Sequence, residues 1–120
     1  MLQNPTPEQI AEYVDRDGAL ARVRGNTTIY KKMLGMLLAS PEFAAFDDAM
    51  AGGDLARASE VAHGIKGMTG NLSLPRLFES STRLMTELRD GKADPDLLAR
   101  YREDVENTRV CVEAVLAEMG

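Results

Sequence analysis

The chain has 120 residues, of which 44% are hydrophobic and 28% charged, and its formal net charge is −5. This length and balance indicate one globular domain over residues 1–120 and exclude a disordered chain. The acidic charge disfavours nucleic acid and anionic membranes as partners. No stretch approaches the roughly 18 apolar residues of a membrane-spanning helix, so we predict no membrane association.

Two short helices are predicted near the N-terminus. Residues 6–9, Thr-Pro-Glu-Gln, form a capping box with proline at the first helical position, and this helix should end at about Val14. Asp17 is the candidate cap of a second short helix, which Gly25 would end.

Four longer helices follow, over residues 27–51, 54–72, 75–90 and 95–119. Each is preceded or opened by a residue type that caps helices: Asn26, Asp54, Ser73 and Asp94. Ser40-Pro41-Glu42 should break or kink the first of them, because proline in a helix interior removes a backbone hydrogen bond. Pro75 lies in the first turn of the third.

The apolar positions of the longer helices recur at alternating intervals of three and four, the spacing of a helix face buried in a bundle. In the second long helix this buried seam is Leu55, Ala58, Ala62, Ile65, Thr69 and Leu72. In the third it is Leu74, Leu77, Ser81, Leu84 and Leu88. In the last it is Leu98, Tyr101, Val105, Thr108, Val112, Val115 and Met119, with the charged positions of that helix facing solvent.

No segment alternates with period two, so no strands are predicted. The loops between the long helices are short, so sequential helices should be antiparallel. We therefore predict an all-α fold, an antiparallel up-down four-helix bundle with one or two short N-terminal helices.

The only histidine, His63, lies one position off the seam of the second long helix. On the same helical face are neighbours that we predict to contact a partner: Ser59, Glu60, Gly64, Gly67 and Gly70. Each of the three glycines costs a helix about 1 kcal/mol relative to alanine. We infer that this helix needs a bare surface through which a partner reaches His63.

Several other chemistries lack the residues that they need. The single cysteine, Cys111, lies beside the last seam as a small core residue and excludes an internal disulfide. One histidine and one cysteine do not make a metal site, and Glu60 with His63 would supply only two ligands. No paired carboxylates and no phosphate-binding loop are recognisable. We predict no metal and no cofactor.

What remains for His63 is to accept a phosphoryl group. An imidazole titrates near pH 6.5, so its neutral form, which attacks phosphorus, is abundant at the pH of the cytoplasm. Lys66 lies one turn later, and helical side chains lean towards the N-terminus, so its ammonium could stabilise the phosphoryl oxygens. The Mg²⁺ and carboxylates that catalyse transfer would come from a partner protein.

Residues 63–72, His-Gly-Ile-Lys-Gly-Met-Thr-Gly-Asn-Leu, resemble the signature of histidine phosphotransfer (HPt) domains, His-x-x-Lys-Gly followed by small residues. The resemblance covers roughly Gly18 to Gly91. It implies a four-helix bundle in which His63 is phosphorylated, Lys66 assists as a cation and Gly67 provides clearance. It also implies phosphate relay to or from the aspartates of receiver domains in bacterial two-component signalling.

The sequence departs from the family pattern at two positions. Ser73 stands where many members have glycine, which affects the turn after the helix. Met85 stands at about the place where HPt domains of the chemotaxis-kinase type have a glutamate that bonds the histidine. The second departure favours a relay module over the substrate domain of a kinase.

Three hypotheses follow. The first is a cytoplasmic, monomeric phosphotransfer protein, not itself an enzyme, whose partners are receiver domains of response regulators or hybrid histidine kinases. The second is a docking module of the same fold whose histidine is not phosphorylated. The third is a small hydrolase that uses His63 and Cys111. The N-terminal five residues lack the pattern of a signal peptide, which agrees with a cytoplasmic location.

Overall fold

The computed structural model describes residues 2–120, and these form seven α-helices with no strand among them. The helices are α1 Pro7–Tyr13, α2 Arg16–Arg22, α3 Thr27–Leu38, α4 Glu42–Ala51, α5 Leu55–Asn71, α6 Pro75–Arg89 and α7 Pro95–Met119. The all-α prediction is confirmed. None of these helices combines the length and apolar character that a membrane span requires, within the part of the chain described.

The bundle is built from α3 with α4, then α5, α6 and α7. The predicted break around Pro41 separates α3 from α4, which together occupy the first position of the bundle. Helix α4 packs on α5, α5 on α6 and α6 on α7, while α3 packs on α7. The short loops between them make consecutive helices from α4 to α7 antiparallel. Helix α1 lies against α6 and α7, and α2 lies against α3, as the two short N-terminal helices.

Helix α7 joins the two halves of the core. Its 25 residues extend for about 37 Å at 1.5 Å per residue, comparable to the longest dimension of the molecule, 41 Å. Near its start, Tyr101 packs against Phe46 of α4 with ring centroids 4.8 Å apart. Near its end, Cys111 and Val115 pack against residues from α1, α2 and α3.

The predicted seams of α5 and α6 are confirmed. In α5 all six seam positions are buried except Leu55, which is half-buried. In α6 all five are buried. The small side chains of Ala58 and Ala62 are fully buried, which allows the backbone of α5 to lie close to its neighbours.

The buried face of α7 differs from the prediction. Leu98, Val105 and Met119 are only half-buried, and the buried face includes three positions that were not predicted: Leu97, Asp104 and Asn107. Cys111 is buried beside the seam, as predicted. Asn107 is buried because the N-terminal segment covers this part of α7. Its amide Nδ2 donates to the hydroxyl of Tyr13 over 3.0 Å, and its Oδ1 accepts from the backbone N–H of Leu2 over 2.9 Å.

Asp104 contradicts the expectation that the charged residues of the last helix face solvent. It is 3% exposed, and its carboxylate lies 3.7 Å from the Nε of Arg100. Burial raises the pKa of this carboxyl above its ordinary value, although Ser80 and Arg100 act in the opposite direction. The buried carboxyl faces α6 because it lies one turn beyond Tyr101 on the core side of α7.

Two predicted helix caps are also wrong. Asp15, not Asp17, caps α2, with its carboxylate accepting from the N–H of Gly18 over 3.0 Å. Ser73 does not cap α6, whose N-cap position is Leu74, without a side-chain hydrogen bond. Ser73 instead adopts a left-handed backbone conformation, φ +54°, that ends α5 and turns the chain into α6.

Candidate functional site

Helix α5 presents one face to the core and the opposite face to solvent. Asp54 caps its first turn by accepting from the N–H of Arg57 over 3.0 Å. The buried seam fixes the rotation of the helix, with Ala62 and Ile65 fully buried. His63 follows Ala62 by 100° of helical rotation and is therefore exposed.

The His63 ring has one polar contact among residues 2–120. Its Nδ1 lies 3.2 Å from the sulfur of Met85 on α6. No carboxylate or hydroxyl is bonded to the ring, so no acid–base partner of the kind found in hydrolases is present in the described residues. Met85 thus lies beside the histidine, at the position where the chemotaxis-kinase type has a glutamate.

The three glycines of α5 have different surroundings. A methyl group added at Gly67 would meet nothing within 4 Å. At Gly64 it would come within 3.1 Å of the carboxylate of Glu42, and at Gly70 within 3.1 Å of the ring of Phe78. The bare surface expected from all three glycines therefore exists at Gly67, while Gly70 allows Phe78 to pack against α5.

The remaining site residues predicted from the sequence have distinct environments. Lys66 is half-buried, and none of the ion pairs within 4.0 Å in the part of the chain described includes it. Glu60 is exposed and pairs with Arg57 at 3.6 Å. Ser59 is only 8% exposed, and its hydroxyl donates to the backbone carbonyl of Met85 over 2.9 Å. Most of the Ser59 side chain therefore contacts α6 and not solvent.

A hollow of about 410 Å³ lies between α5 and α6 beside the histidine. It is lined by Ala56, Ser59, Glu60, His63, Met85 and Arg89. Arg89 was not predicted as a site residue, although it lies four residues after Met85 and therefore on the same face of α6. Arg89 therefore adds a cationic side chain to the hollow that His63 lines.

Cys111 is not part of this site. Its thiol is fully buried in the core between α7 and the N-terminal helices. Burial, followed by the charge of Glu12, raises the pKa of the thiol, so the nucleophilic thiolate is disfavoured. The hydrolase hypothesis that pairs Cys111 with His63 has no support in this geometry. No group of three or more metal-ligating side chains occurs within residues 2–120.

Comparison with known proteins identifies one family. The family model of the Hpt domain matches residues 33–111, from the middle of α3 to the second half of α7, which is about two thirds of the chain. The matched stretch contains α4, α5 and α6 in full, with His63 inside it. No curated protein and no solved structure was found to match the chain.

Proposed function

The chain belongs to the Hpt domain family, and on this premise we propose that it relays a phosphoryl group through His63 to or from receiver-domain aspartates in a bacterial two-component phosphorelay. Hpt domains perform histidine phosphotransfer in two-component signalling and act as intermediates. The observation that supports the role of His63 is its exposed imidazole beside Gly67, where the surface is open.

The transfer needs one free lone pair on the imidazole. In the direction from a receiver to this chain, a ring nitrogen attacks the phosphorus of the aspartyl phosphate in line. The N–P bond forms while the P–O bond breaks, and the electron pair of that bond remains on the receiver carboxylate. The reverse transfer retraces these steps. The exposed ring leaves room for a receiver to bring its phosphoryl group within reach.

Lys66 is the proposed phosphoryl-stabilising cation. It follows His63 by one turn, and its side chain leans back towards the histidine, as side chains do in helices. No ion pair with a carboxylate of the described residues occupies its ammonium. The Mg²⁺ and the carboxylates that hold it belong to the partner receiver or kinase, so the chain needs no cofactor of its own.

The proposed docking surface for receiver domains is the exposed face of α5 around His63. Glu60, Gly64 and Gly67 are exposed on it, while Gly70 and Ser59 lie at its edges. We further propose that residues 1–120 act as one monomeric domain in the cytoplasm, where receiver domains of response regulators and hybrid kinases are found.

The test is to incubate the chain with a receiver domain carrying ³²P on its aspartate. Wild type should gain acid-labile label and His63→Gln should gain none. Labelling of His63→Gln at the wild-type level would overturn the assignment of His63. Binding of the receiver by both proteins, without label on either, would identify a docking module in place of a relay.

A further inference from the structure

The two sides of α5 carry opposite charges next to His63. Lys66 follows Ser59 by seven residues and lies on the same line of the helix, and the hydroxyl of Ser59 donates a hydrogen bond to α6 over 2.9 Å. Lys66 therefore lies on the α6 side of the histidine. Gly64 lies on the other side, towards α4, where the carboxylate of Glu42 is its neighbour. The docking surface is thus cationic at its α6 edge and anionic at its α4 edge.

Glu42 is the first residue of α4, and its side chain extends across to α5. It is half-buried, and a methyl group added at Gly64 would come within 3.1 Å of its Oε2. The space that this glycine leaves is thus filled by a carboxylate from another helix, beside the residue that follows His63. The backbone N–H of Glu42 donates to the hydroxyl of Ser40 over 3.2 Å, which holds the start of α4 from which the side chain extends.

No cation of the described residues neutralises this carboxylate. None of the ion pairs within 4.0 Å among residues 2–120 includes Glu42, whereas Glu60 on the same face pairs with Arg57. A docked receiver would remove water from the surface around His63. A carboxylate that loses its water without gaining a partner destabilises a complex, and a phosphoryl group nearby adds like-charge repulsion. A complex at this surface therefore needs a cation at Glu42.

We propose that Glu42 is a specificity-determining residue of the docking surface, and that it binds an arginine or lysine side chain of the receiver. The inference rests on the proposed function and names one feature of the partner. A receiver with a cation over α4 neutralises Glu42 and turns its phosphoaspartate towards His63 and the cationic α6 edge. A receiver with a carboxylate at the same place is repelled. Glu42 thus selects among receivers and fixes their orientation.

The test is single-turnover ³²P transfer at low ionic strength, over a range of concentrations of the phosphorylated receiver that labels wild type fastest. Glu42→Gln keeps the size of the side chain and removes its charge. It should raise the half-saturating concentration of receiver by about three- to tenfold. The maximal rate should not change, because the carboxylate contacts the partner and not the reacting atoms. Added salt should weaken binding less in Glu42→Gln than in wild type.

Two further variants separate this role from a structural one. Asp48→Asn is the matched control, because Asp48 is an exposed carboxylate six residues later and on a different face of α4. It should leave the half-saturating concentration unchanged. A carboxylate in the first turn also stabilises a helix through its dipole. Glu42→Asp retains that charge but is shorter by one methylene group, so it should keep the wild-type Tm and still raise the half-saturating concentration.

Charge reversal on both proteins identifies the cation. Glu42→Lys should raise the half-saturating concentration by about tenfold or more, because like charges then face each other. Each exposed lysine and arginine around the aspartate of the receiver is next changed to glutamate. One of these changes should return transfer to Glu42→Lys to within about threefold of the wild-type pair, and should weaken transfer to the wild-type chain.

The inference is overturned if Glu42→Gln has the wild-type half-saturating concentration at low salt, or if no reversal on the receiver restores Glu42→Lys. Neither result affects the proposed function, which is tested by the label on His63. If receivers bind but label neither protein, the proposed relay fails, and calorimetric affinities of wild type and Glu42→Gln should still differ by about three- to tenfold. A chain that binds no receiver would contradict both.

Discussion

Gly67 offers a substitution that should raise stability and lower function together. It lies within α5, is exposed, and a side chain at this position would meet nothing within 4 Å. Replacing a helical glycine by alanine in such surroundings stabilises a protein by about 1 kcal/mol. With an unfolding entropy of about 2.1 cal/mol/K for each of 120 residues, that gain raises Tm by about 4 °C.

A larger side chain at the same position should block the partner. Gln is a good helix former, so Gly67→Gln should also raise the free energy of unfolding, by about 0.5–1 kcal/mol. Its side chain projects from the exposed face of α5 one turn after His63. Transfer requires the reacting atoms to approach within about 3–3.5 Å, so we expect the rate from a phosphorylated receiver to fall by about tenfold or more.

The assays are thermal denaturation and the initial rate of ³²P transfer, measured on the same preparations. Gly35 on α3 is the matched control, because it is also helical and exposed, and a methyl group added there would meet nothing within 4 Å. Gly35→Gln should gain similar stability and transfer at the wild-type rate. If Gly67→Gln transferred phosphate at the wild-type rate, this glycine would not be needed to give a partner access to His63. If Gly67→Ala had a lower Tm than wild type, the conclusion that a side chain at this position meets no neighbouring atoms would be wrong.

Further predictions concern four other positions. Lys66→Gln should slow transfer by about tenfold, since a charge-assisted contact is worth about 1.5 kcal/mol, whereas Lys92→Gln in the α6–α7 loop should not. Ser73→Gly should raise the free energy of unfolding by about 0.5–1 kcal/mol in a urea titration. Glycine adopts the left-handed backbone conformation without the steric cost that serine has, and this gain exceeds the cost of glycine's greater entropy in the unfolded chain. The pKa of Asp104 is raised in the folded state, so the folded protein holds this proton more tightly than the unfolded chain does. The free energy of unfolding should therefore fall as pH rises from the ordinary carboxyl pKa through the raised one. Asp104→Asn should remove that fall in denaturation curves measured across this pH range. Cys111→Ala should lower the free energy of unfolding by about 1 kcal/mol and leave the transfer rate unchanged, because the thiol is buried in the core. Loss of transfer in a folded Cys111→Ala protein would revive the hydrolase hypothesis.

Much of the fold follows from local signals in the sequence. The alternating spacing of three and four identifies the buried faces of α5 and α6, because each face packs against neighbours along its whole length. The break around Pro41 follows from the chemistry of proline alone. These features depend on residues close to one another in the chain, so a single sequence contains the information.

The predictions fail where distant residues decide the outcome. The polarity of Asp104 and Asn107 places them on the solvent side of α7, but α6 and the N-terminal segment cover them. No periodicity reveals that Leu2 and Tyr13 return to Asn107, more than ninety residues away. Serine commonly caps helices, which predicts Ser73 as a cap, whereas the geometry of the turn between α5 and α6 requires a left-handed residue there.

The sequence predicts the composition of the site but not its contacts. The spacing places His63, Lys66 and Gly67 on one face of one helix, and each lies on α5 as expected. It does not show that Phe78 covers Gly70, or that Ser59 turns its hydroxyl to the backbone of Met85. Those contacts cross from α5 to α6, and their existence depends on the packing distance between the two helices.

The arrangement of α5 separates stability from function along two sides of one helix. Its core side is held by fully buried residues such as Ala62 and Ile65, so the helix tolerates glycines on the solvent side. Substitutions on the core side should therefore lower stability and leave transfer unchanged, whereas a bulky substitution on the solvent side, such as Gly67→Gln, should slow transfer without lowering stability. Ser59 lies on the boundary between the two, because it is nearly buried yet holds the residue that contacts the imidazole. Ser59→Ala should consequently lower both the free energy of unfolding and the transfer rate. Ile65→Val should lower only the free energy of unfolding, and Gly67→Gln should raise it while slowing transfer.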